Sequence, residues 1–367
     1  MNILMHCVYF RPEVGGLESH VYQLCRGLAR RGHRVDVVTS RSMAEAPAHE
    51  RIDGIEIWRT WFPSRGPVGW ALHSLGSVRR VRDRARTADV IHAQAFPSVV
   101  PGVCGRRVRG APLLATFHTS HFLRRAEQRR WRPILSRLVR AVDYGLAASQ
   151  EIADVAERLA PGVRVEALTN GVDTEVFKPG DPTPVQEGRR RLIVPRRLFE
   201  KNGVEFLVRA MPRIVERADV EAVLVGDGPE RGRLEALASE LGVKERITFL
   251  GARPNEEMPG LIRSGAVAVF PSLMEATSVA ALESMSCGVP VAASRVGGLP
   301  EIVDEEVGTL FEPADPGSLA DAVLGLLSAP DLAERGRKAR DRVVERWSND
   351  RLVERHLEIY RTLLEGA

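Results

Sequence analysis

With 367 residues, of which 44% are hydrophobic and 27% charged, the chain is globular and long enough for two domains with separate cores. No apolar run approaches the roughly 18 residues of a membrane span, and Cys7, Cys25, Cys104 and Cys287 show neither metal spacing nor a disulfide framework. The net charge of +4 is modest, but it is unevenly spread.

The first predicted strand, NILMHCVYF, begins at residue 2 and leaves no room for a signal peptide. Together with isolated, reduced thiols this sets the expectation of a cytoplasmic protein. Further strands are expected at 34–39, 55–60, 89–92, 113–117 and 144–148. Between the first two, GLESHVYQLCRGLARRG puts Leu17, Val21, Leu24 and Leu28 on one helical face and stops at Gly32. This is the βαβ pattern of a parallel sheet. Residues 122–140, FLRRAEQRRWRPILSRLVR, carry seven arginines against one glutamate with apolar residues interleaved. Two readings stand: a solvated helix face, or a patch that meets anionic lipid at a membrane surface. No nucleic-acid-binding motif accompanies the patch, so a nucleic-acid partner is not expected.

At FKPGDPTPVQEGRRR, proline, glycine and charge replace apolar periodicity, which places a linker at about 178–190. The alternation then restarts with RLIVP, a helix over 203–217, AVLVG, a helix over 229–241, ITFLG, a short helix, AVAVF, a further helix, PVAAS and GTLF. The predicted class is α/β, with two Rossmann-like, doubly wound parallel-sheet domains at 1–178 and 190–347. The closing helix, 348–367, is expected to pack back on the first domain.

Several loops carry candidate site residues. Gly15 and Gly16 follow the first strand, where a ligand of an open α/β sheet binds and where glycine lets backbone come close. His118 closes the strand LLATF and reaches the same end of the sheet, with His121 a weaker candidate. Arg196, Arg197 and Lys201 lie in the first strand-helix loop of the second domain; they are either solvated or the cations beside a diphosphate. Gly226 and Gly228 stand at the turn of GDGPERGRLE. The third glycine of a dinucleotide fingerprint is replaced by Arg231, and no acidic residue ends the next strand, so a nicotinamide site is not expected.

The most informative segment is SLMEATSVAALESMSCGVPVAAS. Glu275 and Glu283 are separated by seven residues, the first after a buried strand and the second on the following helix. A helix start offers N–H groups and positive dipole to a diphosphate. Helical side chains lean toward the N-terminus, so Glu283 aims back at whatever the turn holds.

Taken in order, GGLESHVYQLCRGLARRGHRVDVVTS, FHTSHF, LTNGVDTEVFKP, RRLFEKNGVEFLVRAM, LVGDGPER, ITFLG, MEATSVAALESMSCGVPVAASRVGGLPEIV and RWSNDRLVERHLEIY resemble a retaining glycosyltransferase of family 4, over nearly the whole chain. The resemblance implies the GT-B architecture, two Rossmann-like domains facing a cleft. It implies a hexosyl transfer from a UDP- or GDP-sugar to a hydroxyl acceptor of a glycan, glycolipid or small molecule, with lipid-linked acceptors and cell-envelope polysaccharide within its range. Glu283 would hold the ribose hydroxyls and Glu275 the donor sugar, the two forming the family's EX7E motif. Ala276, Thr277, Ser278 and Val279 would give N–H groups to the diphosphate, with Gly16 approaching it. His118 would lie at the donor sugar and acceptor. Arg197 and Lys201 would neutralise the leaving group, and backbone near Ala252 and Arg253 would meet the base.

Two departures stand out. The family's EGFG reads EATS here, and RLxxxKG reads RLFEKNG, so that Asn202 takes the place of the lysine and Lys201 comes one position early. No DxD triplet occurs, and the implied chemistry needs neither metal nor cofactor. The alternatives are a sugar-nucleotide epimerase of the same architecture, a catalytically silent binding protein and, from another class, a nucleotide-dependent oxidoreductase. The acceptor would be shaped by first-domain loops such as 41–53 and 61–75.

Overall fold

A computed structural model describes residues 1–13, 15–118, 120–182, 189–275 and 278–366. The chain divides into two compact units, one of Met1–Gly171 with Asn349–Ala367 and one of Val172–Ser348. The linker predicted at 178–190 lies partly outside the described residues.

The first unit holds β1 (Asn2–His6), β2 (Arg34–Ser40), β3 (His49–Ile52), β4 (Ile55–Thr60), β5 (Val90–Gln94), β6 (Leu113–Phe117), β7 (Tyr144–Ala147) and β8 (Val165–Ala167). They form one sheet in the order β3-β4-β2-β1-β5-β6-β7-β8. All neighbours are parallel except β3, which runs antiparallel to β4 at the edge. Two of these strands, β3 and β8, are absent from the sequence expectation. HERI has no apolar alternation to announce it, and VEA spans only three residues. The order reverses direction at β1 and β5, and loops that follow these strands meet at the sheet's carboxyl edge.

One face of this sheet is covered by the helix Gly16–Arg30 and, from the far end of the sequence, by the helix Asn349–Glu365. Val21, Leu24 and Leu28 share a core with Val353, Leu357, Ile359 and Tyr360. Gly27 sets the approach of the two helices, because a Cβ there would stand 2.4 Å from Val353 Cγ2. Polar contacts fix the same helix: Arg355 grips both oxygens of Glu166 at 2.8 and 2.7 Å, and Tyr360 Oη lies 2.7 Å from His92 Nδ1.

The second unit holds β9 (Arg190–Val194), β10 (Val220–Val225), β11 (Ile247–Gly251), β12 (Val267–Phe270), β13 (Val291–Ser294) and β14 (Gly308–Phe311), ordered β11-β10-β9-β12-β13-β14. Every pairing is parallel. Both faces are buried, which explains the uninterrupted apolar runs of the sequence. Leu192, Val194, Val267 and Val269 join one core cluster; Ile193, Ala268 and Phe270 alternate into the other. The order reverses at β9 and β12, so the second unit also has a crevice at the carboxyl ends of two adjacent strands.

Candidate active site

The loops leaving β9 and β12 carry the residues singled out in the sequence. Arg196 follows β9, and its Nη2 lies 2.5 Å from Glu275 Oε2, 2.8 Å from Ser272 Oγ and 2.8 Å from Asn202 Oδ1. Its Nη1 is 3.4 Å from the Ser278 hydroxyl, and the guanidinium carbon stands 5.7 Å from the Phe270 ring centroid. The pair is largely removed from water, with 10% of the Arg196 and 15% of the Glu275 side chain exposed. The buried Arg196 Nε has no hydrogen-bond partner among the described residues, so a cationic donor is left over in a crevice that already satisfies the rest of the group.

Glycines make this arrangement possible. At Gly226, with φ at +148°, a Cβ would fall 2.1 Å from the Arg196 carbonyl oxygen; the residue lets the arginine loop lie against the turn after β10. Gly297, with φ at +52°, lies under Glu275, and a Cβ would fall 1.6 Å from the Glu275 carbonyl oxygen. Gly297→Ala is therefore expected to lower stability by at least about 2 kcal/mol, read as a fall of roughly 4–8 °C in the thermal midpoint. An unchanged midpoint would refute this steric account.

Ser278 is the N-cap of the helix Val279–Ser286, and its hydroxyl accepts from the Ala281 N–H at 3.3 Å. The N–H groups of Val279 and Ala280 meet no acceptor among the described residues, as the first turn of a helix requires. Ala276 and Thr277, the other predicted diphosphate contacts, lie outside the described residues. Glu283 sits one turn into this helix. It retains some exposure, yet the protein packed around its carboxyl pushes its pKa up to about 8, with desolvation as the cause. No described residue hydrogen-bonds that carboxyl.

The other predicted cations are placed differently. Arg197 is exposed, its guanidinium 5.6 Å from the Phe199 ring centroid. Lys201 is exposed, and its carbonyl accepts from Leu273 N at 2.8 Å. Asn202, by contrast, is buried and ties Arg196 to the Arg197 carbonyl. Arg253 is exposed beside Glu257 at 3.9 Å. Sequence reasoning missed Ser272 and Gly297. A serine directly beyond a buried strand at the order reversal, and a Gly-Gly pair after the next strand, were the available signals.

Gly15, Gly16 and His118 belong to the first unit. Gly15 is extended, and a Cβ there would fall 2.3 Å from Glu18 Oε2, the end of a flexible side chain; a Cβ at Gly16 would meet nothing within 4 Å, so packing does not call for glycine at that second position. His118 is buried at the end of β6, with Nε2 2.5 Å from Gln94 Oε1 and its ring 4.9 Å from that of His20. Burial first, and then His356, pushes its pKa down to about 3, so the imidazole is neutral. Nδ1 makes no well-formed hydrogen bond among the described residues, although the Asn170 side chain stands close enough to raise the ring's pKa against the burial. Among the described residues no three His, Cys, Asp or Glu side chains gather as a metal-binding group. No helix among them is long and apolar enough to cross a membrane.

Comparison with known proteins fits this architecture. Residues 14–176 match the profile described as Glycosyltransferase Family 4, and residues 189–329 match that described as Glycosyl transferases group 1. The D-inositol 3-phosphate glycosyltransferase of Acidothermus cellulolyticus is 30% identical over 405 residues, covering 96% of this chain and 86% of the relative. Among solved structures, sucrose-phosphate synthase from Thermosynechococcus elongatus superposes with a TM-score of 0.87 at 24% identity, over 100% of both chains. Anabaena HepE in complex with UDP gives 0.80 at 21% identity, over 99% of this chain and 100% of that one. The chain belongs to the group 1, family 4 glycosyltransferases, and glycosyl transfer is its activity.

Proposed function

We propose that the protein transfers a hexosyl group from a UDP- or GDP-sugar to a hydroxyl of a glycan, glycolipid or small molecule, with retention and without a metal. The observation that carries the reading is the joint placement of Arg196, Glu275 and a capped helix start at the order reversal of the second sheet, with Glu283 one turn further on. The complex of the related HepE fold with UDP supports a nucleotide donor.

In this scheme Glu283 accepts hydrogen bonds from the two ribose hydroxyls. The free N–H groups of Val279 and Ala280 and the unsatisfied Nε of Arg196 take diphosphate oxygens, with Arg197 and Lys201 adding positive charge in the same loop. Glu275 faces the sugar. As the bond from the anomeric carbon to the phosphate oxygen breaks, the acceptor oxygen bonds to that carbon on the same face, and its proton passes to the departing phosphate. A histidine with pKa near 3 is too weak a base to take that proton at neutral pH, which favours the phosphate as acceptor. In the first unit Gly15, Gly16 and His118 keep the ligand contacts that the resemblance implies for them. The arginines of residues 122–140 meet an anionic membrane surface from which lipid-linked acceptors are drawn.

A panel of UDP-, GDP- and ADP-sugars, read by thermal shift, tests the donor. A ligand at 100 times its Kd adds about 2.7 kcal/mol, so one base is expected to raise the midpoint clearly above the others. Product analysis with that donor then gives anomeric configuration. Inversion, or a requirement for added divalent metal, would overturn the mechanism.

A further inference from the structure

The helix Pro67–Ala85 has its polarity inverted over the first half. His73, Ser74 and Ser77 are buried, while Val68, Leu72 and Leu75 are 71%, 41% and 64% exposed. Intervals of four and then three residues put these three side chains on one face. Trp61, 63% exposed, lies over Gly76 of the same helix. An apolar, solvent-facing helix stripe flanked by an aromatic is the composition of an interfacial element.

Next to it opens a pocket of about 250 Å³ walled by Trp70, Phe96, Val100, Trp131 and Leu138. Arg125 is the only charged residue among those described on its wall. Its guanidinium carbon stands 4.0 Å from the Trp131 ring centroid, and its buried Nε has no hydrogen-bond partner among the described residues. The seven arginines of residues 122–140 form no ion pair among the described residues; Arg130 and Arg132 bond only to Gln128 and to the Ala126 carbonyl. Arg342, by contrast, is matched with Asp304 and Glu306. An uncompensated Arg125 on the wall of an apolar, aromatic cavity, with six further arginines in the same segment of chain, calls for one molecule that joins negative charge to hydrocarbon.

We propose that this pocket seats the apolar chain of a phosphate-bearing membrane lipid, whose phosphate is held by the arginines of residues 122–140 while Val68, Leu72 and Leu75 enter the interfacial layer of the bilayer. The proposal rests on the membrane reading above and adds to it a defined lipid site. It is smaller than the ~300–1,000 Å³ of whole-ligand pockets, which fits a chain segment with the remainder of the lipid left in the membrane.

The full-length protein is titrated with dihexanoyl phosphatidylglycerol below its micellar concentration, and tryptophan emission is followed, because Trp70 and Trp131 report from the pocket wall. Dihexanoyl phosphatidylcholine and inorganic phosphate are parallel arms. A saturable blue shift is expected with the anionic lipid, at least about tenfold weaker with phosphatidylcholine and absent with phosphate. Ala71→Phe with Val100→Phe, at exposed positions of the pocket mouth, fills the cavity; it is expected to abolish the shift and to leave co-sedimentation with phosphatidylglycerol vesicles intact. Charge reversal at Arg124, Arg129 and Arg130 is expected to abolish co-sedimentation. An unchanged titration in the filled variant, or a shift from phosphate alone, overturns the pocket and leaves membrane binding standing. Co-sedimentation that survives charge reversal overturns the membrane reading itself.

Discussion

Replacing Glu275 by Gln is expected to slow glycosyl transfer about a thousandfold while nucleotide affinity stays within about threefold of the parent's. The amide keeps the size of the carboxyl and can still accept from Arg196, so the crevice stays assembled. What it loses, in the proposed scheme, is the negative charge facing the sugar, where positive charge develops as the leaving group departs. Glu275→Ala is a different perturbation. It leaves the Arg196 guanidinium, 10% exposed, without its counter-ion, and removing one member of a largely buried pair costs about 3 kcal/mol. The alanine variant should therefore also melt earlier, whereas the glutamine variant should not. Steady-state kinetics, nucleotide titration and thermal melts on both variants separate these effects. Equal loss of nucleotide affinity in Glu275→Gln and Glu283→Gln would sink the division of labour.

Glu283→Ala should weaken nucleotide binding by about 100-fold at pH 9, since two hydrogen bonds to a charged acceptor contribute roughly 3 kcal/mol together. The deficit should shrink at lower pH, because the free carboxyl has its pKa raised to about 8. In the proposed scheme the ribose hydroxyls donate to this carboxyl and so favour its ionised form, and binding below pH 8 must first release a proton. Parent affinity then rises by up to about tenfold per pH unit until about pH 8 and levels off above it; the variant lacks that limb. The neighbouring Cys287 thiol, pushed up to about 12 by burial, does not titrate in this window. Stability of the ligand-free protein follows the opposite course. The native state holds this proton between the ordinary carboxylate range and pH 8 while the unfolded state has lost it, so stability from this group falls as pH rises through that window. Nucleotide affinity of the parent that is flat from pH 6 to 9 would remove Glu283 from the ribose.

The sequence discloses the strands of the second unit well because each is apolar on both faces, and Leu192, Ile193 and Val194 pack alternately into two cores. It does not disclose β3, whose residues lie at an edge with little to bury. Among site residues, the acidic pair is legible as spacing across a helix start. Which of two adjacent arginines turns toward Glu275 is not, since the partners that hold Arg196, Ser272 and Glu275, arrive from a loop more than seventy positions later. The neutral state of His118 is equally hidden. It follows from burial first and then from His356, which comes from a helix more than two hundred positions further along the sequence.

The seating of the helix Asn349–Glu365 on the first sheet has a consequence for synthesis. Val353, Leu357 and Tyr360 belong to the same core as Ile3, Met5 and Val35. Domains ordinarily fold in the order in which they leave the ribosome. Here the first sheet to emerge must wait, with part of one face uncovered, until residues more than three hundred positions later have been made, so the unit begun first is the one finished last.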